Sequence, residues 1–407
     1  MSQGQGDDPP FVLFIDVEKA FDKMLLEHQR RSLLQADLAP ARVAAYLSEQ
    51  LHSKVWARLG DVQSGPLAHS RGKQGGCGTP FSFNAMMTAA LSKSFASWER
   101  RGFGIPLPAS PARPASRFVA GVFADNLVLA GTYSQVVAMY LEATSAIAAM
   151  SLCWKPTSYC ALGPSGARVV LPAAPGHAAR TVACLQEVPW LGFHLAYACD
   201  WHQATAKAFE AANNAWHANR KVLYSRRLSL RCRLQVFSQT VVSVLLSRLV
   251  LLPLTARIVQ RVRRFESRFL RALTGWQRAS YSVPQYAEYT RKARKVAASC
   301  GHVDVTTAFL TRVFDTAGRW ARIPCDVPDL ALRSFAHAWD TALCGTWSFL
   351  RGHGVVRARL GRPLSGWDRL LDSWSGQRWR TWAQHYASWS DFRNHWLTWA
   401  ARHCGFE

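Results

Sequence analysis

Acidic residues are scarce in this chain. Its 407 residues include 26 Asp and Glu against 49 Lys and Arg, which gives a formal charge of +23 and an isoelectric point of about 10.2. Such a surplus favours a polyanionic partner, because binding releases the counterions held by that partner. Nucleic acid is the first partner to consider, and a solvated basic surface without a ligand is the alternative.

Paired metal-binding cysteines and long apolar runs are also missing. The ten cysteines include no CxxC pair and no His at zinc-finger spacing, which argues against a structural zinc site. Without a signal peptide, reduced thiols in an intracellular setting, nucleus or cytoplasm, are expected. The longest apolar stretch, residues 241–253, contains Arg248 and is too short to span a bilayer, so no membrane segment is predicted.

Two short apolar runs each lead to an aspartate. The run that begins at Phe11 ends at Asp16, and the run that begins at Gly121 reaches Asp125 and Asn126. Neighbouring buried strands can hold such carboxylates close enough to share divalent cations. The pair therefore indicates a metal-dependent phosphoryl-transfer site.

A glycine-rich segment, residues 71–84, lies between these runs. In order, the three segments resemble motifs A, B and C of reverse transcriptases, specifically those of non-LTR (LINE-type) retrotransposons. The first motif, D-x-x-x-A-F-D, is matched at Asp16, Ala20, Phe21 and Asp22. The second, G-x-x-Q-G-x-x-x-S-P-x-L-F-N, is matched at Gln74, Gly75, Pro80, Phe83 and Asn84, with Thr79 in place of Ser and with Gly72 one position after the first Gly of the pattern. The third departs from the family, because Asn126 stands where the second Asp of F-A-D-D belongs.

The resemblance continues toward the C-terminus. Residues 150–158 resemble motif D, although Lys155 and Ser158 do not identify its general-acid lysine. Residues 189–193 resemble motif E, the primer grip, which implies a role for Trp190, Leu191 and Gly192. The run from residue 362 to 396 resembles the tail that follows the polymerase in some of these elements.

The resemblance implies RNA-directed DNA polymerisation, in which a primer 3′-hydroxyl attacks the α-phosphate of a dNTP. Asp16 and Asp125 would hold two Mg²⁺ ions, or Mn²⁺, with the Val17 carbonyl as a further ligand. Asn126 would complete the catalytic set with one negative charge fewer. An RNA template and a DNA primer or target are the implied partners.

Four further positions take on substrate roles through the same resemblance. Phe21 stands where the family carries the aromatic that blocks a ribose 2′-hydroxyl, which implies selection of deoxynucleotides. Ala20, Gln74 and Gly75 would line the dNTP and template pocket, where small residues let the backbone approach the substrate.

The implied fold class is α+β: a right-hand polymerase palm, with an antiparallel sheet packed on helices, followed by a mostly helical thumb and C-terminal region. The expected divisions are residues 1–10 as a flexible N-terminus, 11–200 as a palm, 201–300 as the thumb and 301–407 as a Trp-rich helical region. Since only fifteen residues precede Asp16, an N-terminally truncated element copy, without most of the fingers and without an endonuclease, is expected.

Local patterns predict several elements of the palm. Phe11 to Asp16 reads as a buried strand and Ala20 to Gln35 as one helix. A hairpin is expected around Gly60, and a helix from Thr79, as N-cap, to Arg101. A strand pair over residues 118–130 and a helix over 134–150 should follow.

Two C-terminal patterns have alternative interpretations. Arginine-rich helices after residue 203 would contact a template-primer backbone or form ordinary solvated faces. Tryptophans at 367, 374, 382, 389 and 396 are spaced for one helical stripe, which is more typical of core packing than of base stacking.

Three functions therefore remain open. The first is a reverse transcriptase, the second an inactive remnant that binds nucleic acid, and the third a structural protein that keeps only the fold.

Overall fold

The structure, a computed structural model, describes residues 9–51, 54–55, 58–65, 67–68, 78–107, 116–190, 193–197, 201–250, 252, 256–275, 283–322, 367–376 and 378–403. These residues form two compact units that divide between Val188 and Pro189. The chain is a mixed helix-and-sheet protein whose largest sheet is mostly antiparallel, consistent with the expected α+β class.

Strands are concentrated in the first unit. They are β1 (Phe11–Asp16), β2 (Lys54–Val55), β3 (Arg58–Leu59), β4 (Val62–Gln63), β5 (Leu67–Ala68), β6 (Ile105–Leu107), β7 (Ser116–Phe118), β8 (Ala120–Phe123), β9 (Asn126–Gly131), β10 (Cys160–Leu162), β11 (Arg168–Leu171), β12 (Arg180–Leu185), β13 (Glu187–Trp190) and β14 (Phe193–Ala196).

Five helices precede β10 and the others follow β14. They are α1 (Ala20–Lys23), α2 (Leu26–Gln35), α3 (Pro40–Leu51), α4 (Thr79–Arg100), α5 (Tyr133–Ala148), α6 (Trp201–Ala218), α7 (Arg220–Leu223), α8 (Leu230–Val236), α9 (Ser243–Leu249), α10 (Ala256–Leu273), α11 (Val283–Ser299), α12 (Val305–Ala321), α13 (Trp367–Ser375), α14 (Trp379–Ala383), α15 (Tyr386–Asp391) and α16 (Arg393–His403). A π-helical stretch, Phe237–Val242, joins α8 to α9.

A six-stranded sheet with the order β11-β12-β10-β1-β9-β8 organises the first unit. Its pairings are antiparallel except for β10 with β12, which run parallel. The central strand β1 is apolar because it is covered on both faces: Leu13 and Ile15 enter the helix-side core, and Phe14, on the other face, is also buried. Burying each such side chain contributes about 1.5–3 kcal/mol.

Helices α4 and α5 pack on one face of this sheet. Fully buried indoles anchor them, and each indole N–H has an acceptor: Trp98 Nε1 donates to Glu142 at 2.7 Å, and Trp154 Nε1 donates to Thr144 Oγ1 at 2.9 Å. A buried aromatic with its polar atom satisfied adds a large apolar area without an unpaired donor.

The single helix predicted over residues 20–35 is wrong. The chain breaks after α1, because Met24 turns into an extended conformation and buries its side chain completely in the core. The amide of Gln29, itself buried, donates to the freed Met24 carbonyl at 3.3 Å. Tertiary burial thus overrides the helical spacing of the apolar residues.

Two other local predictions have different outcomes in the structure. The hairpin is present, with Gly60 at a φ of +60° in the turn between β3 and β4. The N-cap of α4 is Gly78, and Thr79 is its first helical residue. Gly78 fits because a Cβ at this position would lie 2.5 Å from the ring of Tyr46.

The second unit encloses one large apolar cluster built from α6 through α16. Trp374, Trp389 and Trp396 are buried in it, so core packing, the favoured interpretation of the tryptophans, is confirmed for these three. The single helical stripe predicted for the tryptophans is wrong, because turns divide their segment into the four helices α13 to α16. One of these turns contains Gly376, whose φ is +61°. None of the helices in the described ranges has both the length and the apolar character to cross a bilayer.

Candidate active site

A tight turn delivers Asp125. Strands β8 and β9 are joined by Ala124 and Asp125 alone, and Ala124 adopts a φ of +50°, in the left-handed region that a residue with a Cβ rarely occupies. Such backbone strain costs about 1–3 kcal/mol and concentrates at functional sites. The turn therefore places Asp125 at the end of the sheet next to the last residue of β1.

Strand register aligns three of the surrounding side chains. Asp16 on β1 and Phe123 on β8 both pair with Asn126 on β9. Directly paired residues point to the same face of a sheet, and this face is opposite to the one on which Ile15 packs against the helices. Phe123 is 61% exposed there, so one aromatic side chain lies in solvent on the same face as Asp16.

Backbone hydrogen bonds join the end of β1 to the turn. The N–H of Val17 donates to the Asp125 carbonyl at 2.8 Å, which continues the β1–β9 pairing past Asp16. Asp16 and Asp125 thereby become neighbours although the chain separates them widely. This is the juxtaposition that the two apolar runs predicted.

The two carboxylates influence each other electrostatically. Burial raises the pKa of Asp16, the negative charge of Asp125 raises it further, and Lys155 opposes both effects. Asn126 donates from Nδ2 to Asp125 Oδ1 at 3.2 Å. Like charges held together in this way bind a cation favourably, because the cation removes their repulsion.

The donor set fits a hard divalent cation. Mg²⁺ uses one or two carboxylates and keeps several waters, and Asp16 and Asp125 provide those two. Among the described residues, no group of three or more His, Cys, Asp or Glu side chains is arranged to hold a metal. A third carboxylate is missing because the neutral Asn126 stands where the related motif carries a second Asp.

A loop after α5 supports Asp16 in a way that the sequence pattern did not identify. Ser158 Oγ accepts the N–H of Asp16 at 2.9 Å and donates to the Lys155 carbonyl at 2.8 Å. The N–H of Lys155 in turn donates to the Asp16 carbonyl at 2.7 Å. The signal in the sequence was the polar cluster at the end of residues 150–158, but its spacing did not reveal which backbone groups it would bind.

The residues after β1 are packed rather than free. The side chains of Val17 and Ala20 are buried in the core. Phe21 is half-buried and meets the ring of Phe83 on α4 edge-on, with 5.6 Å between centroids. Segments resembling motifs A and B therefore touch at Phe21 and Phe83.

Four of the predicted site residues lie outside the described residues: Gln74, Gly75, Leu191 and Gly192. Trp190 ends β13, which pairs with β14 in a separate two-stranded sheet. The roles expected for these five residues stay predictions.

The second unit carries a separate candidate nucleic-acid surface on α10. Arg257, Arg261, Arg264 and Arg268 recur at spacings of three and four residues, which puts them on one helix face, and all four are exposed. Burial, followed by the charge of Arg257, lowers the pKa of Arg261. We call these four residues the arginine stripe.

Aromatic rings fix two members of the arginine stripe. The guanidinium of Arg261 lies over the ring of Phe209 at 4.4 Å, and that of Arg268 lies over Phe269 at 4.3 Å. Arg268 also donates to Asn213 Oδ1. Ordered guanidinium groups lose less entropy when they bind phosphate oxygens than freely rotating side chains do.

Comparison with known proteins supplies no family. No protein-family model matches the chain, and none of the curated proteins is significantly similar to it.

Proposed function

We propose that the chain is an RNA-directed DNA polymerase of the non-LTR retrotransposon type, with its first unit as the polymerase palm. The observation that supports this most is the placement of Asp16 and Asp125 at the ends of paired strands, joined by the bond from Val17 N–H to the Asp125 carbonyl. The order of the three motifs along the chain adds to it.

Asp16 and Asp125 hold the metals in the proposed reaction. When bound there, Mg²⁺ or Mn²⁺ supplies the positive charge that activates the primer 3′-oxygen and neutralises the leaving pyrophosphate. Ser158 and Lys155 fix the backbone of Asp16 from both sides, so its carboxylate needs little reorganisation. The Val17 carbonyl and the Asn126 amide, in the residues that directly follow these aspartates, offer neutral oxygens beside them.

Substrate selection falls to Phe21 in this proposal. Its contact with Phe83 leaves the ring few rotamers, as a residue must have if it is to exclude a ribose 2′-hydroxyl. The template is RNA, the primer or target is DNA, and the dNTP enters beside Phe21.

A second function, an inactive remnant that binds nucleic acid, is favoured by two observations. Asn126 leaves the site with two carboxylates, and the arginine stripe is present whether or not the site is active. Binding without catalysis needs only the stripe. The third possibility, a purely structural role, predicts neither DNA polymerisation nor nucleic-acid binding.

Primer extension tests the first proposal. The purified chain is given poly(rA)/oligo(dT), dTTP and Mg²⁺ or Mn²⁺, beside Asp16→Asn, Asp125→Asn and the exposed Asp37→Asn as a matched control. We expect extension by wild type and Asp37→Asn and none by the two site variants. Equal extension by all four, or none by folded wild type, would refute the polymerase proposal.

Salt-dependent binding tests the second function. Each phosphate contact contributes a slope of about 0.7 to 0.9 in log K against log salt. We expect the double variant Arg261→Gln, Arg264→Gln to lower the slope by roughly 1.5, and the exposed Arg312→Gln on α12 to leave it unchanged. A wild-type slope near zero would contradict nucleic-acid binding and leave the structural role.

A further inference from the structure

An amine and a thiol are held together beside the candidate active site. Lys23 Nζ lies 2.8 Å from Cys153 Sγ, although the residues are 130 positions apart. The carboxylate of Glu18 contacts both groups, at 3.4 Å from Cys153 Sγ and in an ion pair with Lys23. We call these three residues the Lys-Cys cluster.

Backbone bonds fix both partners of this contact. The N–H of Glu18 donates to the Cys153 carbonyl at 2.8 Å, and the N–H of Lys23 donates to the Lys19 carbonyl at 3.0 Å within the short helix α1. These bonds hold the two backbone segments beside each other, so the side chains of Lys23 and Cys153 stay within reach of each other.

Solvent reaches the pair. The Lys23 side chain is 26% exposed, and Cys153 is half-buried with a free thiol. A small oxidant can therefore approach the sulfur. Reactive cysteines occupy partly exposed sites beside cationic groups in this way.

We propose that Lys23 and Cys153 are a redox modification site, at which a peroxide joins Nζ to Sγ through one oxygen atom. One bridging oxygen spans a sulfur and a nitrogen at about their present separation, so the backbone need not move. This inference does not depend on the proposed polymerase activity.

The chemistry balances with two molecules of hydrogen peroxide. In the first step the sulfur attacks one peroxide oxygen, the O–O bond breaks, and the thiol becomes a sulfenic acid with release of one water. In the second step the sulfenic oxygen bonds to Nζ, which gives up one hydrogen as the sulfenic acid gives up its own. The second peroxide accepts the two electrons and two protons released in this step and leaves as two waters.

Lys23 must lose its ammonium proton before its nitrogen can bond to oxygen. The hydrogen bond to Cys153 raises the pKa of Lys23, and the bond to Glu18 adds to this rise. The second step is therefore expected to be faster at higher pH, where more of Lys23 is neutral.

The cross-link would immobilise the support of Asp16. Cys153 belongs to the loop that also provides Lys155 and Ser158, while Lys23 ends the helix that follows Asp16. A covalent bond between these two segments would hold Asp16 between fixed neighbours. Oxidation would therefore stiffen this edge of the first unit.

Another oxidation product has to be distinguished. Cys160 on β10 and Cys184 on β12 lie on paired strands and are free. A disulfide between them would remove two hydrogens and add no oxygen. The proposed bridge removes two hydrogens and adds one oxygen, so the masses of the joined peptides separate the two products.

The test uses the full chain treated with hydrogen peroxide and then analysed by intact mass and peptide mapping. We expect a joined peptide pair containing Lys23 and Cys153, loss of tryptic cleavage after Lys23, and reversal by dithiothreitol. Cys153→Ser and Lys23→Arg should abolish the product, whereas Lys19→Arg and Cys160→Ser should keep it.

A second readout follows the stability of the oxidised wild type. A covalent link that closes a loop of this length restricts the unfolded chain, so Tm should rise by several degrees and return on reduction. Oxidation of Cys153 only to sulfinic or sulfonic acid, with Lys23 still cleavable, would overturn the proposal. So would the same joined product in Lys23→Arg.

Discussion

Replacing Asn126 by Asp should destabilise the metal-free protein and increase its response to Mg²⁺. Asn126 Nδ2 donates to Asp125 Oδ1 at 3.2 Å, and a hydrogen bond to a charged group contributes about 1.5–3 kcal/mol. The variant loses this bond and gains a like charge at a similar distance, where repulsion is about 1 kcal/mol in water and about 5 kcal/mol at an effective dielectric constant of 20. Because Asn126 is only half-buried, we expect a total loss of about 3 kcal/mol.

Thermal unfolding in chelator and then in rising Mg²⁺ measures both effects. A loss of about 3 kcal/mol lowers Tm by roughly 6–12 °C for a unit of this size. Mg²⁺ at about one hundred times its Kd restores about 2.7 kcal/mol, so the variant should regain most of its Tm. The wild type, with two carboxylates, should shift less at the same concentration, and primer extension by the variant should need less Mg²⁺.

A matched control and two outcomes complete this test. Asn214→Asp adds the same charge at an exposed position on α6 and should change neither the metal-free Tm nor the Mg²⁺ response. An unchanged Tm for metal-free Asn126→Asp would show that the side chain does not interact with Asp125. A variant that loses stability but gains no Mg²⁺ response would refute metal binding by Asp16 and Asp125.

Three further predictions concern stability. The pKa of Asp16 is raised from its ordinary value of 3.8, so ionising its carboxyl destabilises the folded state as pH rises above that value. Asp16→Asn should therefore raise Tm at neutral pH in chelator and lose this advantage in acid. Ser158→Ala leaves the Asp16 N–H without its acceptor and should lower the free energy of unfolding, measured in urea, by about 1–3 kcal/mol. Ser158→Thr keeps a hydroxyl and should retain most of that stability. Gly318→Ala should destabilise by about 1–3 kcal/mol despite its better helix propensity, because the new Cβ would lie 2.0 Å from Trp389 Nε1; rescue by Trp389→Phe checks that cause.

The neighbouring positions of Asp16 and Asp125 were predictable because each aspartate ends an apolar run, and paired buried strands bring such ends together. The break at Met24 was not predictable, since helical spacing continues through it and only the burial of the Met24 side chain in the core shows why the helix stops. The bonds of Ser158 were missed for a related reason. A hydroxyl has many possible acceptors and donors, and the sheet that places it beside Asp16 is long-range structure.

The separation of the tryptophans into four helices shows a different limit of prediction from sequence spacing. A seven-residue spacing suits one helix, and Gly376 marked an interruption that the spacing concealed. The burial of Trp374, Trp389 and Trp396 was still predictable, because a large apolar side chain contributes most when water is excluded from it. Periodicity thus identified these three internal residues without identifying the helices that carry them.

The indoles of α15 and α16 also affect the order in which the molecule is made. Trp396 Nε1 donates to the Leu310 carbonyl across 86 residues, and Trp389 stacks on Phe314 with ring centroids 3.9 Å apart. During synthesis, α12 leaves the ribosome with this apolar surface uncovered. At ordinary elongation rates, several seconds pass before α15 and α16 are made and can cover it. A chain terminated shortly before Trp389 would leave this apolar surface uncovered and would therefore be prone to aggregate.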